Sequence, residues 1–246
     1  MMKIPTALPK FTNHPKRNFR IDPHQLDIWQ FSLTRLPKDP QTLLSQEEIQ
    51  RANRYYFPKH QRRSLASQSI VKQLLAKYLA IEPMDVHFER NKYGKPSLSN
   101  EPALQFNLTH SKDLAFLAVG KTYVVGVDVE YFTPRPYEGI ASHLFSEDEC
   151  KALEKLPYNL QPLGFFRIWS QKEALIKAYG LGLHYPTKQI TLPMLPSGGY
   201  DFYDHLNQTA WKMKTFMPEI ACCGAICYHP SITEISYHPI STHEIF

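Results

Sequence analysis

The stretch TYVVGVDVEYF, residues 122–132, limits the fold more than any other part of the chain. Val124, Val125, Val127 and Val129 give it strand composition, because β-branched side chains suit a pleated, half-buried surface. Side chains alternate along a strand, so Val127 and Val129 turn to one face, toward a core, and Asp128 and Glu130 to the other. Two carboxylates side by side repel each other unless a cation or a basic side chain lies between them. Asp128 and Glu130 are therefore a candidate site for a hard cation of the magnesium kind. A solvated polar face on an edge strand is the plainer explanation of the same residues.

Around this strand, strand and helix signals follow one another without strict alternation. Residues 26–33 (LDIWQFSL), 104–111 (LQFNLTHS) and 114–120 (LAFLAVG) have strand composition, as do QITL, AWKMKTF, IACCGAICY and EISYH further on. Two S-x-x-E capping boxes, Ser45 with Glu48 and Ser146 with Glu149, announce helices in SQEEIQRANRYYF and FSEDECKALEKL. The apolar stripe Ile70, Leu74, Leu75 and Tyr78 predicts another in SLASQSIVKQLLAKYLA. Phe165 to Tyr179 contains neither Gly nor Pro and is bracketed by Gly164 and Gly180, which fits a helix of about four turns. NKYGKPSL reads as a turn. This mixed order favours an α+β fold. No GxGxxG or GxxxxGK[ST] occurs, and the GLG at 180–182 follows a helix where those motifs follow a strand, so Rossmann and P-loop folds lack support.

With 246 residues, 43% of them hydrophobic, the chain can form one large domain or two halves of about 100 to 120 residues. Residues 1–24 mix Pro, basic and polar residues without periodicity and read as an extension on the surface or disordered. The remainder divides into an N-terminal half, 25–122, and a C-terminal half, 123–246. A formal net charge of +5 mildly favours anionic partners without choosing among them. Cys222, Cys223 and Cys227 crowd into one strand-like segment without CxxC spacing. Buried free thiols in a reducing compartment explain them better than a zinc site with His229, which points to the cytoplasm. No apolar run approaches the roughly 18 residues of a membrane span, and prolines interrupt the N-terminus where a signal peptide has its apolar core. A protein that is neither exported nor in a membrane is expected.

In WSQKEALIKAYGLGL, Glu173 and Lys177 fall one helical turn apart on one face. A surface ion pair explains them, and so does an acid and a base flanking a reaction. Ser170 and Glu173 also spell a capping box, but the apolar pattern of Phe165, Phe166 and Trp169 starts earlier, so the helix runs through Ser170. Glu173 can supply a third carboxylate to the cation site, and Lys177 a cation for a departing phosphate. Trp169 reads as packing. Lys59, His60, Arg62, Arg63, Lys95 and His110 form a scattered basic set that could bind a polyanion.

YGKP (93–96), FNLTHS (106–111), GVDVE (126–130), FSEDE (145–149) and FFRIWSQKEALIKAYGLGL (165–183) resemble, in order and spacing, the 4′-phosphopantetheinyl transferases of the larger, surfactin-synthetase-activating type. The resemblance covers Asp27 to about Tyr228. It implies a pseudo-dimer of two similar α+β halves with the active site in the cleft between them, coenzyme A as co-substrate, magnesium, and an apo acyl or peptidyl carrier protein as acceptor. The serine of the carrier attacks the β-phosphorus and adenosine 3′,5′-bisphosphate leaves. Asp128, Glu130 and Glu173 match the metal ligands, and Asp128 also belongs to the coenzyme site. Glu173 matches the base proposed for the serine proton, and Lys177 the lysine facing the leaving phosphate. His110 and Arg63 match donors to the 3′-phosphate and Lys95 a donor near the diphosphate. Ser64 stands where the family often has Thr or Ser, and Thr109 where it more often has Ser, with the hydroxyl retained. Where the family carries lysines near the first helix this chain has Glu48 and Arg51, leaving Arg51 as the candidate. The family type implies a monomer that acts on neither nucleic acid nor membrane, with carrier selectivity in surface loops such as residues 131–145.

Two other readings compete. A magnesium-dependent nuclease would use D-x-E with a later Glu and Lys, but usually presents E-x-K on a strand, not E-x-x-x-K on a helix. A nonenzymatic nucleic-acid or polyanion binder would use RANRYYFPKHQRR, and leaves GVDVE unexplained.

Overall fold

A computed structural model describes residues 18–37, 39–134, 137–194 and 198–240. The first half contains β1 (Gln25–Ser32), α1 (Gln46–Asn53), α2 (Pro58–Leu79), a short hairpin of β2 (Phe88–Arg90) and β3 (Pro96–Leu98), then β4 (Leu104–Ser111) and β5 (Leu114–Lys121). The second contains β6 (Val125–Tyr131), α3 (Tyr137–Leu144), α4 (Glu147–Glu154), α5 (Gln161–Tyr179), β7 (Gly199–Asp204), β8 (Thr209–Phe216), β9 (Cys222–Tyr228) and β10 (Glu234–Pro239). The class is α+β, as the mixed order of signals requires. One sheet has the order β10-β1-β5-β4 and the other β6-β9-β8-β7. In each, the first strand of the half pairs with its antiparallel late strand, which pairs in turn with the strand before it. β10 leaves the second half to pair in parallel with β1.

The strands carry apolar residues on both faces because both faces are covered. Trp29, Phe31, Ala115, Leu117 and Val119 pack on Ile70, Leu74 and Leu75 of α2. From the opposite faces, Leu26, Ile28, Phe116 and Ala118 meet Val125, Val127, Val129 and Ile226 between the two sheets. Cys223, Ala225 and Cys227 then turn to Phe165, Ala174 and Ala178 of α5. The order of layers is α2, sheet, sheet, α5. Each fully buried large side chain among these, such as Phe116 or Phe165, stabilises the fold by about 1.5–3 kcal/mol.

Both predicted capping boxes form, each worth about 1 kcal/mol. Ser45 accepts from the Glu48 amide and Glu48 from that of Ser45, and Ser146 and Glu149 repeat the exchange. Each glutamate also meets a buried lysine of the long helix that follows, Glu48 with Lys72 at 2.8 Å and Glu149 with Lys172 at 2.9 Å. The four cysteines, three of them buried, are free thiols.

Several elements differ from expectation. Residues 1–17 of the expected extension lie outside the described residues, but the extension does not lie loose beyond them: Phe19 stacks on Trp29 at 5.7 Å and meets Tyr78 edge-on. α2 begins at Pro58, ahead of the predicted segment, because proline at the first helical turn loses no hydrogen bond. α5 likewise starts at Gln161 with Pro162 in its first turn, so Gly164 falls inside the helix. QITL (189–192) is no strand. Its backbone is taken up by side chains instead: the Leu192 amide donates to Glu149, and the Thr187 and Ile190 carbonyls accept from Lys172. The segment 131–145, expected as a loop, holds α3. No helix among the described residues is long and apolar enough to cross a membrane.

Candidate active site

β6 is an edge strand whose polar face is not solvated. α5 lies directly on it at Gly126, where a Cβ would sit 1.9 Å from the Ala174 carbonyl oxygen and 2.5 Å from the Ala178 nitrogen. Only glycine admits this approach, and it brings Glu173 and Lys177 over Asp128 and Glu130.

The edge strand of the other sheet, β4, closes the second side with side chains in place of a main-chain ladder. Asn107 Oδ1 accepts from the Val127 amide (2.8 Å), Thr109 Oγ1 donates to Asp128 Oδ1 (3.2 Å), and Ser111 Oγ donates to Glu130 Oε2 (3.2 Å) while accepting from the Tyr131 amide (3.1 Å). These contacts advance together along β4 and β6, so the two strands run side by side in one direction.

Lys177 does not form the surface ion pair. Its Nζ donates to Asp128 Oδ1 at 2.6 Å and to Thr109 Oγ1 at 3.0 Å. Asp128 Oδ2 is buried and has no hydrogen-bond partner among the described residues, a costly state that a bound cation or donor relieves. Burial, then the negative charges of Asp128 and Glu130, push the Glu173 carboxyl up to about 7 against the opposing pull of Lys177. Trp169 packs on Phe165, but its Nε1 also donates to Glu130 Oε1 at 3.1 Å, a polar role beyond the packing expected of it. Glu130 thus has both oxygens engaged by neutral donors. Among the described residues no three His, Cys, Asp or Glu side chains stand as a ready metal-holding group. What fits a hard cation here is the donor chemistry: three carboxylates facing one space, one of them with an oxygen in need of a partner.

A cavity of about 230 Å³ opens beside this cluster, lined by Tyr93, Lys95 and Asn107 from the first half and Glu173, Lys177 and Gly182 from the second. Lys95 Nζ donates to the Ala178 carbonyl at 2.8 Å, and burial lowers its pKa to about 8. Asn91 joins it there, donating to the Gly180 carbonyl at 2.8 Å. His110 stands at the end of β4, where burial and then the positive charges of Lys177, Arg63 and His60 lower its pKa. Arg63 Nε donates to Asp113 Oδ1 at 2.7 Å and holds that carboxyl below its usual range. Ser64 Oγ accepts from Gln68 on the next turn of α2. Arg51 is apart from this group. It pairs with Glu47 and lines a separate cavity of about 390 Å³ with Lys72, Arg90, Phe106 and Leu108. The structure therefore brings Thr109, Asp128, Glu130, Glu173 and Lys177 together, with Lys95 and His110 beside them. Asn107 and Ser111 escaped the reading of the sequence, although their spacing with Thr109 at alternate positions of one strand was a usable signal.

Comparison with known proteins agrees along both halves. A family model described as the 4′-phosphopantetheinyl transferase superfamily matches residues 124–223, and one described as the N-terminal part of 4′-phosphopantetheinyl transferases matches residues 29–122. The 4′-phosphopantetheinyl transferase HetI of Nostoc sp. is 34% identical over 209 residues, 82% of this chain and 86% of that one. The 4′-phosphopantetheinyl transferase Sfp of Bacillus subtilis is 26% identical over 204 residues, covering 81% and 90%. The L-aminoadipate-semialdehyde dehydrogenase-phosphopantetheinyl transferase of Mus musculus is 28% identical over 187 residues, covering 68% and 60%.

Proposed function

The chain belongs to the 4′-phosphopantetheinyl transferase superfamily, and from that membership we propose that it moves the 4′-phosphopantetheine arm of coenzyme A to a serine of an apo acyl or peptidyl carrier protein. The oxygen of that serine bonds to the β-phosphorus as the bond to the bridging oxygen breaks, and adenosine 3′,5′-bisphosphate departs. The observation that carries this assignment to the cluster is Asp128, buried with one oxygen unpartnered and the other held by Lys177.

Glu173, with a carboxyl titrating near neutrality, is suited to accept the serine proton, directly or through water. Lys177 reaches into the cavity from the same helix and offers positive charge to the departing phosphate. Asp128, Glu130 and Glu173 would hold magnesium, with Ser111 and Trp169 fixing the carboxylate of Glu130. When bound, the ion would neutralise charge growing on the pyrophosphate. Lys95 would meet the diphosphate, Thr109 and Ser64 would supply hydroxyls, and His110 with Arg63 would meet the 3′-phosphate. Arg51, which pairs with Glu47 and lines the separate cavity, has no coenzyme contact in this reading.

This reading takes the chain as a monomeric pseudo-dimer, residues 25–122 and 123–246, with the site in the cleft between the halves. The repeated strand order and the repeated pairing of a capping-box glutamate with a buried lysine support it. The net charge of +5 suits acidic carriers, and the free buried thiols suit the cytoplasm. The nuclease alternative gains nothing, since Glu173 and Lys177 stand on a helix. Incubation with coenzyme A, magnesium and a panel of apo carriers, followed by weighing each carrier, tests the proposal. A phosphopantetheine mass gain is expected on at least one, and no gain on any would sink it.

A further inference from the structure

The turn from Asn91 to Lys95 is organised by a single side chain. Asn91 Oδ1 accepts from the amides of both Tyr93 (3.0 Å) and Lys95 (2.9 Å). Its own amide donates to the Lys95 carbonyl, and its carbonyl accepts from Gly94. The remaining polar group, Nδ2, leaves the turn altogether and donates to the Gly180 carbonyl at the end of α5. Asn91 is thus the hub of one half's turn and a clasp on the other half's helix.

The helix end is shaped to receive it. Gly180 closes α5 in the left-handed region at φ 69°, and a Cβ there would lie 2.5 Å from Lys95 Cδ and 3.1 Å from Asn91 Nδ2. The last carbonyls of a helix have no partners within it. Here Ala178 takes the ammonium of Lys95 and Gly180 takes the amide of Asn91. The turn is thereby fixed in register with Lys177, one turn back along α5, and Tyr93, Gly94 and Lys95 become one wall of the cavity whose other wall holds Glu173 and Lys177. A wall tied to the end of α5 by Asn91 and Lys95 sets the width of that cavity.

We infer that Asn91 is a positioning residue for coenzyme A, acting through the turn it holds against α5 and not through contact with the carrier or with the reacting atoms. The inference rests on the proposed transfer reaction. It separates Asn91 from the binding groups themselves, because it assigns the effect to the Nδ2 donor alone.

Asn91→Asp makes that separation. It keeps the oxygen that serves Tyr93 and Lys95, removes the donor to the Gly180 carbonyl and adds a negative charge. Binding is therefore compared at low and high salt: a loss due to the charge is screened, and a loss due to the broken clasp persists. The dissociation constant for coenzyme A by calorimetry, and KM for coenzyme A, should each rise about five- to tenfold, as expected for one lost hydrogen bond. The turnover number at saturating coenzyme A and KM for the carrier should stay within about twofold. Asn91→Ala, which dismantles the turn as well, should weaken coenzyme binding further. Unchanged coenzyme affinity in both folded variants would overturn the inference. So would a variant in which turnover and thermal midpoint fall while carrier KM rises with them, since that is the mark of a merely structural residue. A wild-type protein that binds no coenzyme A would remove the transfer reading itself, whereas normal transfer with an indifferent Asn91 removes only this inference.

Discussion

Lys172 and Glu173 are neighbours on α5 and face different surroundings. Lys172 points into the second half, where Glu149 and the carbonyls of Thr187 and Ile190 receive its three protons. Glu149 is in turn satisfied by the amides of Ser146 and Leu192. Burial pushes Glu149 up and Lys172 down, and each charge opposes the shift of the other. Glu173, one position on, faces Asp128 and Glu130 across the cavity, among like charges and beside an unpartnered oxygen. One cluster is closed and the other has demand left over. A closed polar network specifies a fold, while unmet demand at a cavity marks where a ligand or a proton is meant to go.

The sharpest way to test the contrast is to remove the centre of the open cluster. Asp128→Ala should lower transfer by about a thousandfold or more, as expected where charge is stabilised in the transition state. The fold should survive. The change deletes a buried oxygen that has no partner, and the Lys177 side chain it releases is already 28% exposed and can reach water. Rate measurement at saturating substrates beside a thermal melt checks both halves of the statement, and retained activity would remove Asp128 from the site.

The closed cluster should respond the other way. Lys172→Met strands the Glu149 charge in the interior, 2% exposed, and should cost about 3–5 kcal/mol of stability. Turnover per folded molecule should remain within a few fold. Urea unfolding gives the first quantity and active-site-normalised kinetics the second. A variant as stable as the parent would mean that the two clusters do not differ as described.

How far the sequence revealed these two places depended on how local their cause was. Capping boxes are spelled within four residues, and both form as read. The alternation in GVDVE was enough to separate the core face of β6 from the carboxylate face. Glu173 and Lys177 were legible as a helical pair, and Glu173 as a third carboxylate for Asp128 and Glu130. The hold of Lys177 on Asp128 was not, because the approach of α5 to β6 depends on Gly126, whose role appears only when the helix is in place. QITL has strand composition, yet Lys172 and Glu149 claim its backbone from far along the chain. The clasp of Asn91 on Gly180 spans 89 positions, and nothing near either residue signals it. NKYGKPSL reads as a turn from Gly94 and Pro96, and that reading gives its first residue, Asn91, no part in holding the turn or reaching α5.

The smallest expected effect is also the most discriminating, because it gives one substitution opposite consequences for stability and for activity. Glu173 carries a carboxyl raised from 4.5 to about 7. Across that interval the folded protein keeps a proton that the unfolded chain releases, so stability falls as pH rises through the window and the full deficit is present above pH 7. This is the reverse of a salt-bridged carboxylate, whose contribution is lost on acidification. Glu173→Gln removes the ionisation and, measured in EDTA so that no divalent ion contributes, should add roughly 2–3 kcal/mol of stability at pH 8. The gain should shrink toward zero as the pH approaches 4, where both states of the parent are protonated. Transfer should move oppositely. In the transfer assay the parent's carboxylate would be held ionised by magnesium and able to accept the serine proton. The glutamine variant, with no such acceptor, should run on the order of a hundredfold slower. A variant that loses both stability and rate at pH 8 would place Glu173 with the closed cluster, as a structural charge, and the distinction between residues 172 and 173 would fail.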